Sequence, residues 1–115
     1  MPELPEVETT LRGLRPHLVG KKLTRVAIRK AQLRWPIPPN LPELIEHQPL
    51  LGMSRRGKYL LFEFEHGQAL VHLGMSGSLR ILESDRPPGI HDHFDWHFGP
   101  RVLRYHDPRR FGCLL

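Results

Sequence analysis

The chain has 115 residues, a length that suits one small domain with a modest hydrophobic core. Lysine and arginine total 17 against 12 aspartate and glutamate residues, and the formal net charge of +5 favours nucleic acid, before an anionic membrane surface, as a partner. The single cysteine, Cys113, excludes a disulfide framework and a cysteine-based zinc site within the chain. With no apolar run of roughly 20 residues and no secretory leader, we expect a cytoplasmic protein without a membrane span.

The first predicted element is an amphipathic helix from Pro5 to about Leu18. Its apolar residues recur at spacings of four, three and four: Val7, Leu11, Leu14 and Leu18. Pro5 suits the first helical turn. Pro16 is expected to bend or end the helix, and Gly20 to complete the stop.

The next segment is less regular. Residues 22–29 alternate enough to predict a strand, and residues 31–42 are proline-rich and irregular. Asn40 followed by Glu43 resembles a capping box, which predicts a short second helix from Leu41 to about His47.

The remainder predicts short strands, at residues 50–56, 59–65, 69–73, 77–82, 94–98 and 101–106. In the clearest of them, Leu60, Phe62 and Phe64 point to one side while Glu63 and Glu65 point to the other. We therefore expect a mainly β fold of the α+β class. It is a two-layer antiparallel β-sandwich of about eight strands, with an N-terminal amphipathic helix covering one end and a second short helix. Residues 110–115 stop in an apolar run, and we expect the last element to continue in a longer protein.

The first residues carry a candidate nucleophile. Removal of Met1 would leave Pro2 with a secondary amine, and an α-amino group has an unperturbed pKa of roughly 7.7–8.0, well below that of lysine. Such an amine can attack the C1′ atom of a sugar and form an iminium, and Glu3 could shuttle the proton. A purely structural alternative remains at this point, in which Pro2 only permits removal of Met1.

Four segments together resemble one family. They are residues 1–9 (MPELPEVET), 56–61 (RGKYLL), 72–80 (HLGMSGSLR) and 107–112 (DPRRFG). In this order and spacing they resemble the N-terminal catalytic domain of bacterial formamidopyrimidine-DNA glycosylase, over essentially all 115 residues. The resemblance implies base excision repair. An oxidised purine, 8-oxoguanine or a formamidopyrimidine, is excised, and the strand is then cut at the abasic site by β,δ-elimination. The implied partner is double-stranded DNA with such lesions, and the implied state is a monomer.

The resemblance also implies the roles of individual residues. Pro2 would attack C1′ and displace the base by covalent catalysis, and Glu3 would protonate the opening sugar ring. Lys58 would contact the lesion or its flanking phosphates, and His72 a DNA phosphate. The alternatives are a solvated lysine and a histidine of the sheet core or edge.

Three further residues would fill the space that an extruded base leaves in the duplex. They are a flexible methionine, an arginine that faces the orphaned cytosine and a flat aromatic wedge: Met75, Arg109 and Phe111. The alternatives are core packing for Met75 and Phe111 and surface charge for Arg109.

No metal or other cofactor is expected in this chain. His91-Asp92-His93 lacks a third ligand at suitable spacing and is weak evidence for a metal site. Members of the family carry a C-terminal domain, absent here, with a helix–two-turns–helix element and a four-cysteine zinc finger. We therefore expect this chain alone to bind DNA weakly and to cleave it poorly or not at all. Two alternatives stay open: a non-catalytic nucleic-acid-binding β-sandwich, and an endonuclease VIII-like glycosylase for oxidised pyrimidines.

Overall fold

The computed structural model describes residues 4–30, 32–83, 86–110 and 112–114. Helix α1 spans Leu4–Leu18 and buries the predicted apolar stripe, Val7, Leu11, Leu14 and Leu18. The helix ends at Leu18 as predicted, and of the two effects expected of Pro16, ending the helix does not occur, because Pro16 lies inside the last turn, where only one backbone hydrogen bond is lost. The chain leaves the helix at Gly20, whose φ of 88° is a left-handed conformation that glycine adopts readily.

Two antiparallel four-stranded sheets form the body of the protein. The strands in chain order are β1 (Arg25–Ile28), β2 (Leu50–Arg56), β3 (Tyr59–Phe64), β4 (Gly67–His72), β5 (Ser78–Leu82), β6 (Asp92–Phe98), β7 (Arg101–His106) and β8 (Cys113–Leu114). The first sheet has the order β1-β6-β7-β5 and the second has the order β2-β3-β4-β8. This arrangement confirms the predicted mainly β, two-layer antiparallel fold with two helices.

The short helix α2 spans Leu41–Ile45, and the predicted capping box is wrong. The side chain of Asn40 makes no capping hydrogen bond. The backbone of Asn40, with φ of −90° and ψ of 0°, is not in the extended conformation from which a capping side chain reaches the first helical turn. The predicted strand at residues 22–29 is shortened to β1, and Lys22 makes only an isolated bridge to Pro49.

Aromatic residues from both sheets fill the core. Phe62 of β3 packs edge-on against Trp96 of β6, with ring centroids 4.9 Å apart. Phe94 stacks on Tyr105 at the same centroid distance, and all four side chains are fully buried. The contact between Phe62 and Trp96 joins the two layers, whereas the contact between Phe94 and Tyr105 joins neighbouring strands of the first sheet.

An ionic cluster ties three segments of the first sheet together. Asp95 on β6 is 2% exposed and accepts bidentate hydrogen bonds from Arg104 on β7, at 2.9 Å each. Arg29, just after β1, donates to the same carboxylate at 2.7 and 3.0 Å. Although burial acts to raise the pKa of Asp95, the two guanidinium groups lower it to about 2.

Candidate nucleic-acid interface

Strand register gathers the predicted site at one end of the second sheet. Tyr59 pairs with His72, and His72 pairs in turn with Cys113. Lys58 directly precedes Tyr59, after Gly57 with its φ of 57°. Lys58, His72 and the chain that leads into β8 therefore share one end of the sandwich.

The ring of His72 is held in one orientation. It lies edge-on to Tyr59, with centroids 4.9 Å apart, and its Nδ1 accepts a hydrogen bond from the Gly74 N–H at 3.0 Å. Burial, and then the charges of Arg34 and Lys58, lower the pKa of His72 below its ordinary value. At neutral pH the imidazole is therefore uncharged, and its proton sits on Nε2, where it can be donated to an incoming acceptor.

Met75 lies in a turn between β4 and β5, which we call the Met75 loop (residues 74–76). Its side chain is 46% exposed, so it is not a core residue. A large apolar side chain at an exposed turn contributes little to the core and can contact a partner.

Arg109 lies in the chain between β7 and β8, which we call the Arg109 loop (residues 107–110 and 112). Its side chain is exposed. Ser78 at the start of β5 pairs with His106 at the end of β7, which brings this loop beside the Met75 loop. Ser76 donates a hydrogen bond to Asp107 at 2.7 Å across the two loops. The structure thus brings together the two loops that carry Met75 and Arg109, although these loops are far apart in the chain.

A basic cleft adjoins the Arg109 loop. It has a volume of about 450 Å³ and is lined by Gln32, Leu33, Arg34, Arg109 and Arg110. The backbone N–H of Arg34 donates to the carbonyl of Gly112 at 3.1 Å, which fixes the irregular segment against the loop. The sequence analysis did not identify Arg34 as a candidate DNA-binding residue. The signal that could have identified it is its position directly before an aromatic residue, Trp35, which is 53% exposed.

Arg55, near the end of β2, is engaged within the fold. It donates to Glu8 of α1 at 3.1 Å and to the carbonyl of Gly57 at 2.9 Å. Hydrogen bonds from Arg55 and then Arg12 lower the pKa of Glu8. Arg55 therefore holds the helix against β2.

The side chains of the His91-Asp92-His93 segment have other partners. His93 Nε2 lies 2.6 Å from the Asp107 carbonyl, and Asp92 accepts from Gly89 N–H and pairs with His106 Nδ1 at 2.8 Å. In the part of the chain that the structure describes, no group of three potential ligands could hold a metal ion. No described helix is long and apolar enough to cross a bilayer.

The remaining predicted site residues, Pro2, Glu3 and Phe111, lie outside the described residues.

The chain is similar to known proteins along its length. Residues 1–114 match the family model for the formamidopyrimidine-DNA glycosylase N-terminal domain. A formamidopyrimidine-DNA glycosylase of Cellvibrio japonicus is 65% identical over all 115 residues, and one of Bordetella avium is 57% identical. The chain spans 43% and 42% of the lengths of these two relatives.

Solved structures agree with this similarity. Lactococcus lactis formamidopyrimidine-DNA glycosylase, non-covalently bound to DNA containing an abasic site, matches 98% of this chain with a TM-score of 0.90 and 34% identity. The chain covers 44% of that structure. MutM in complex with DNA containing carbocyclic 8-oxoguanine matches with a TM-score of 0.91 and 34% identity, over 98% of this chain and 43% of that one. The chain belongs to the formamidopyrimidine-DNA glycosylase N-terminal domain family.

Proposed function

We propose that this chain is the catalytic N-terminal part of a DNA glycosylase that excises oxidised purines and then cleaves the strand at the abasic site. The observation that carries the proposal is the family match over residues 1–114, which includes the Pro2-Glu3 start. The position of four candidate DNA-contacting residues at one end of the sandwich supports it: Lys58, His72, Met75 and Arg109. Because the chain spans 43% of its relative from Cellvibrio japonicus, the activity belongs to the native full-length chain that carries these residues.

In the proposed reaction, the nitrogen of Pro2 bonds to C1′ as the glycosidic bond to the base breaks. The leaving base takes up a proton, and Glu3 protonates the ring oxygen of the opening sugar. The resulting iminium acidifies the C2′ proton. Its removal expels the 3′-phosphate, and a second elimination expels the 5′-phosphate. Hydrolysis of the remaining Schiff base releases Pro2.

The described residues would hold the substrate for this chemistry. Lys58 would offer a charged donor and His72 a neutral one to phosphates or to the lesion. Met75 and Arg109, with Phe111, would occupy the stack after the damaged base has been extruded. We infer further that the protein acts as a cytoplasmic monomer and that a second domain with a zinc finger completes its DNA surface.

A borohydride trap with the native full-length chain tests the proposal. Duplexes carry 8-oxoguanine opposite cytosine, an oxidised pyrimidine or an abasic site. Covalent adducts and β,δ-cleaved products on the 8-oxoguanine duplex support the proposed activity. Adducts formed preferentially with the oxidised pyrimidine would instead indicate endonuclease VIII-like specificity. DNA binding with no adduct on any duplex would indicate a non-catalytic binding module and contradict the proposal.

Replacement of Lys58 and replacement of His72 should weaken DNA binding in different ways. We expect Lys58→Gln to lower the slope of log K against log salt by about one, because one fewer counterion is released. We expect His72→Ala to weaken binding about three- to tenfold without changing that slope, because a neutral donor is lost. Fluorescence anisotropy with an abasic analogue at several salt concentrations measures both effects. His72→Gln, which keeps an uncharged donor, is the control and should retain more affinity than His72→Ala. A smaller slope in His72→Ala would show that His72 binds as a cation.

Arg109→Ala should reduce excision opposite cytosine about 10- to 100-fold and weaken the preference for cytosine over other opposing bases, because a base-edge contact is lost. Single-turnover excision with each of the four bases opposite 8-oxoguanine measures the effect. Arg110→Asn is the matched control. It removes the neighbouring guanidinium, and asparagine tolerates the φ of 55° found there. This control should weaken binding without changing the preference. Equal loss of preference in both variants would contradict the role of Arg109.

A further inference from the structure

Asp107 is a fully buried carboxylate surrounded by donors. Its Oδ1 accepts from the Ser76 hydroxyl at 2.7 Å and from the Arg109 N–H at 3.2 Å. Its Oδ2 accepts from the Tyr105 hydroxyl at 2.7 Å and from the Gly112 N–H at 3.0 Å. Burial acts to raise the pKa of Asp107, but the hydrogen bonds, from Tyr105 first, hold it below its ordinary value. Because a buried carboxylate is costly unless its oxygens are satisfied, these donors hold their positions firmly.

Three of these four donors come from the two loops that carry the candidate duplex-entering side chains. Ser76 follows Met75 directly, whereas Arg109 and Gly112 belong to the Arg109 loop. The N–H of Arg109 is also within 3.3 Å of the Ser76 hydroxyl. One carboxylate and one serine hydroxyl therefore join the loops to each other.

Tyr105 closes the cluster from the core side. A Cβ atom added at Gly77, just after the Met75 loop, would lie 2.7 Å from the Tyr105 hydroxyl. A Cβ atom added at Gly112 would overlap the same hydroxyl. The residue that follows the Met75 loop and the Gly112 end of the Arg109 loop thus both pack closely against the hydroxyl of a fully buried side chain.

We propose that Asp107 is a positioning residue that couples the Met75 loop to the Arg109 loop through Ser76, so that the two loops enter a DNA duplex as one unit. This coupling rests on the proposed glycosylase function. Asp107 touches no DNA in this scheme. It acts by fixing the distance between Met75 and Arg109.

Ser76→Ala is the test variant, because it removes the link between the loops and leaves the other three donors to Asp107. Thr24→Ala is the matched control. The Thr24 hydroxyl donates to the His97 carbonyl and accepts from the Gly99 N–H, at the opposite end of the same sheet. Ser76→Thr restores a hydroxyl. All variants are made in the native full-length chain, and thermal unfolding checks that each is folded.

We expect Ser76→Ala to lower excision of 8-oxoguanine from duplex DNA about tenfold, the order expected for a hydrogen bond to a charged acceptor. Borohydride trapping on a single-stranded abasic oligonucleotide should change less than about twofold, because no stacked duplex has to be entered. Thr24→Ala should leave both rates unchanged, and Ser76→Thr should recover most of the duplex rate.

A double-mutant cycle measures the coupling itself. In the wild-type background, the combined rate loss of Met75→Ala and Arg109→Ala should be smaller than the product of the single losses. In the Ser76→Ala background the two losses should multiply. The proposal is overturned if the losses multiply in both backgrounds. It is also overturned if Ser76→Ala reduces duplex and single-strand rates equally, or if it behaves like Thr24→Ala. A wild-type chain that traps no abasic DNA would overturn the proposed function and this coupling with it.

Discussion

Blocking the nitrogen of Pro2 should abolish adduct formation. A chain that retains Met1, or carries one extra uncleaved residue, has an amide at this position and has lost the lone pair that would attack C1′. We expect borohydride trapping on abasic DNA to fall by at least about 10³-fold, because no remaining group replaces a lost nucleophile. Intact mass identifies the N-terminus of each preparation, and gel analysis of the adduct measures the loss.

The matched control restores the nucleophile within the same molecule. A removable extension that ends directly before Pro2 gives blocked and freed protein from one preparation. DNA binding should be similar before and after removal, whereas trapping should appear only afterwards. Equal trapping by both forms would show that a lysine forms the Schiff base, and Lys58 would then be the first residue to replace.

Replacement of Asp95 should cause a large loss of stability. We expect Asp95→Ala to lower the free energy of unfolding by about 3–5 kcal/mol, because it leaves the buried guanidinium of Arg104 without its carboxylate. Urea denaturation of the chain measures this change. Glu8→Ala is a closely matched control, since Glu8 also pairs with two arginines, Arg12 and Arg55, but at the surface. It should cost much less, because solvent screens ion pairs at the surface. Similar losses in the two variants would show that burial of the Asp95 cluster does not increase the loss of stability.

The same cluster predicts how stability depends on pH. The pKa of Asp95 falls from 3.8 in the unfolded chain to about 2 in the folded protein. Folding is therefore favoured by this group at pH values above about 4, and that contribution, about 2 kcal/mol, is lost as the pH falls towards 2. Urea denaturation at pH 6 and near pH 2.5 measures the free energy of unfolding of the wild-type protein and of Asp95→Ala. The difference between these two free energies should be smaller at the lower pH. A constant difference would contradict this assignment.

Local patterns were enough to predict most of the elements. The four-three-four spacing of Val7, Leu11, Leu14 and Leu18 identified the buried face of α1, because a helix repeats every 3.6 residues. The alternation in residues 59–65 identified β3, because side chains in a strand point to opposite faces. Boundaries were less well predicted where the chain contacts distant segments. The capping box failed at Asn40, whose backbone is not in the extended conformation that capping requires, although the residue spacing is favourable.

The sequence by itself determined the fold class, the family and the residues proposed for chemistry, since short motifs such as Pro2-Glu3 and 107–112 are local in the chain. Only the tertiary structure decided which distant residues meet. Strand register brings Ser76 to Asp107, and the irregular segment at Arg34 to Gly112. Packing of the sheets buries Asp95 between two arginines, although in sequence it is one acidic residue among 12. The reason is physical: side-chain periodicity acts over one or two turns, whereas burial and hydrogen-bond partners depend on the pairing of strands far apart in the chain.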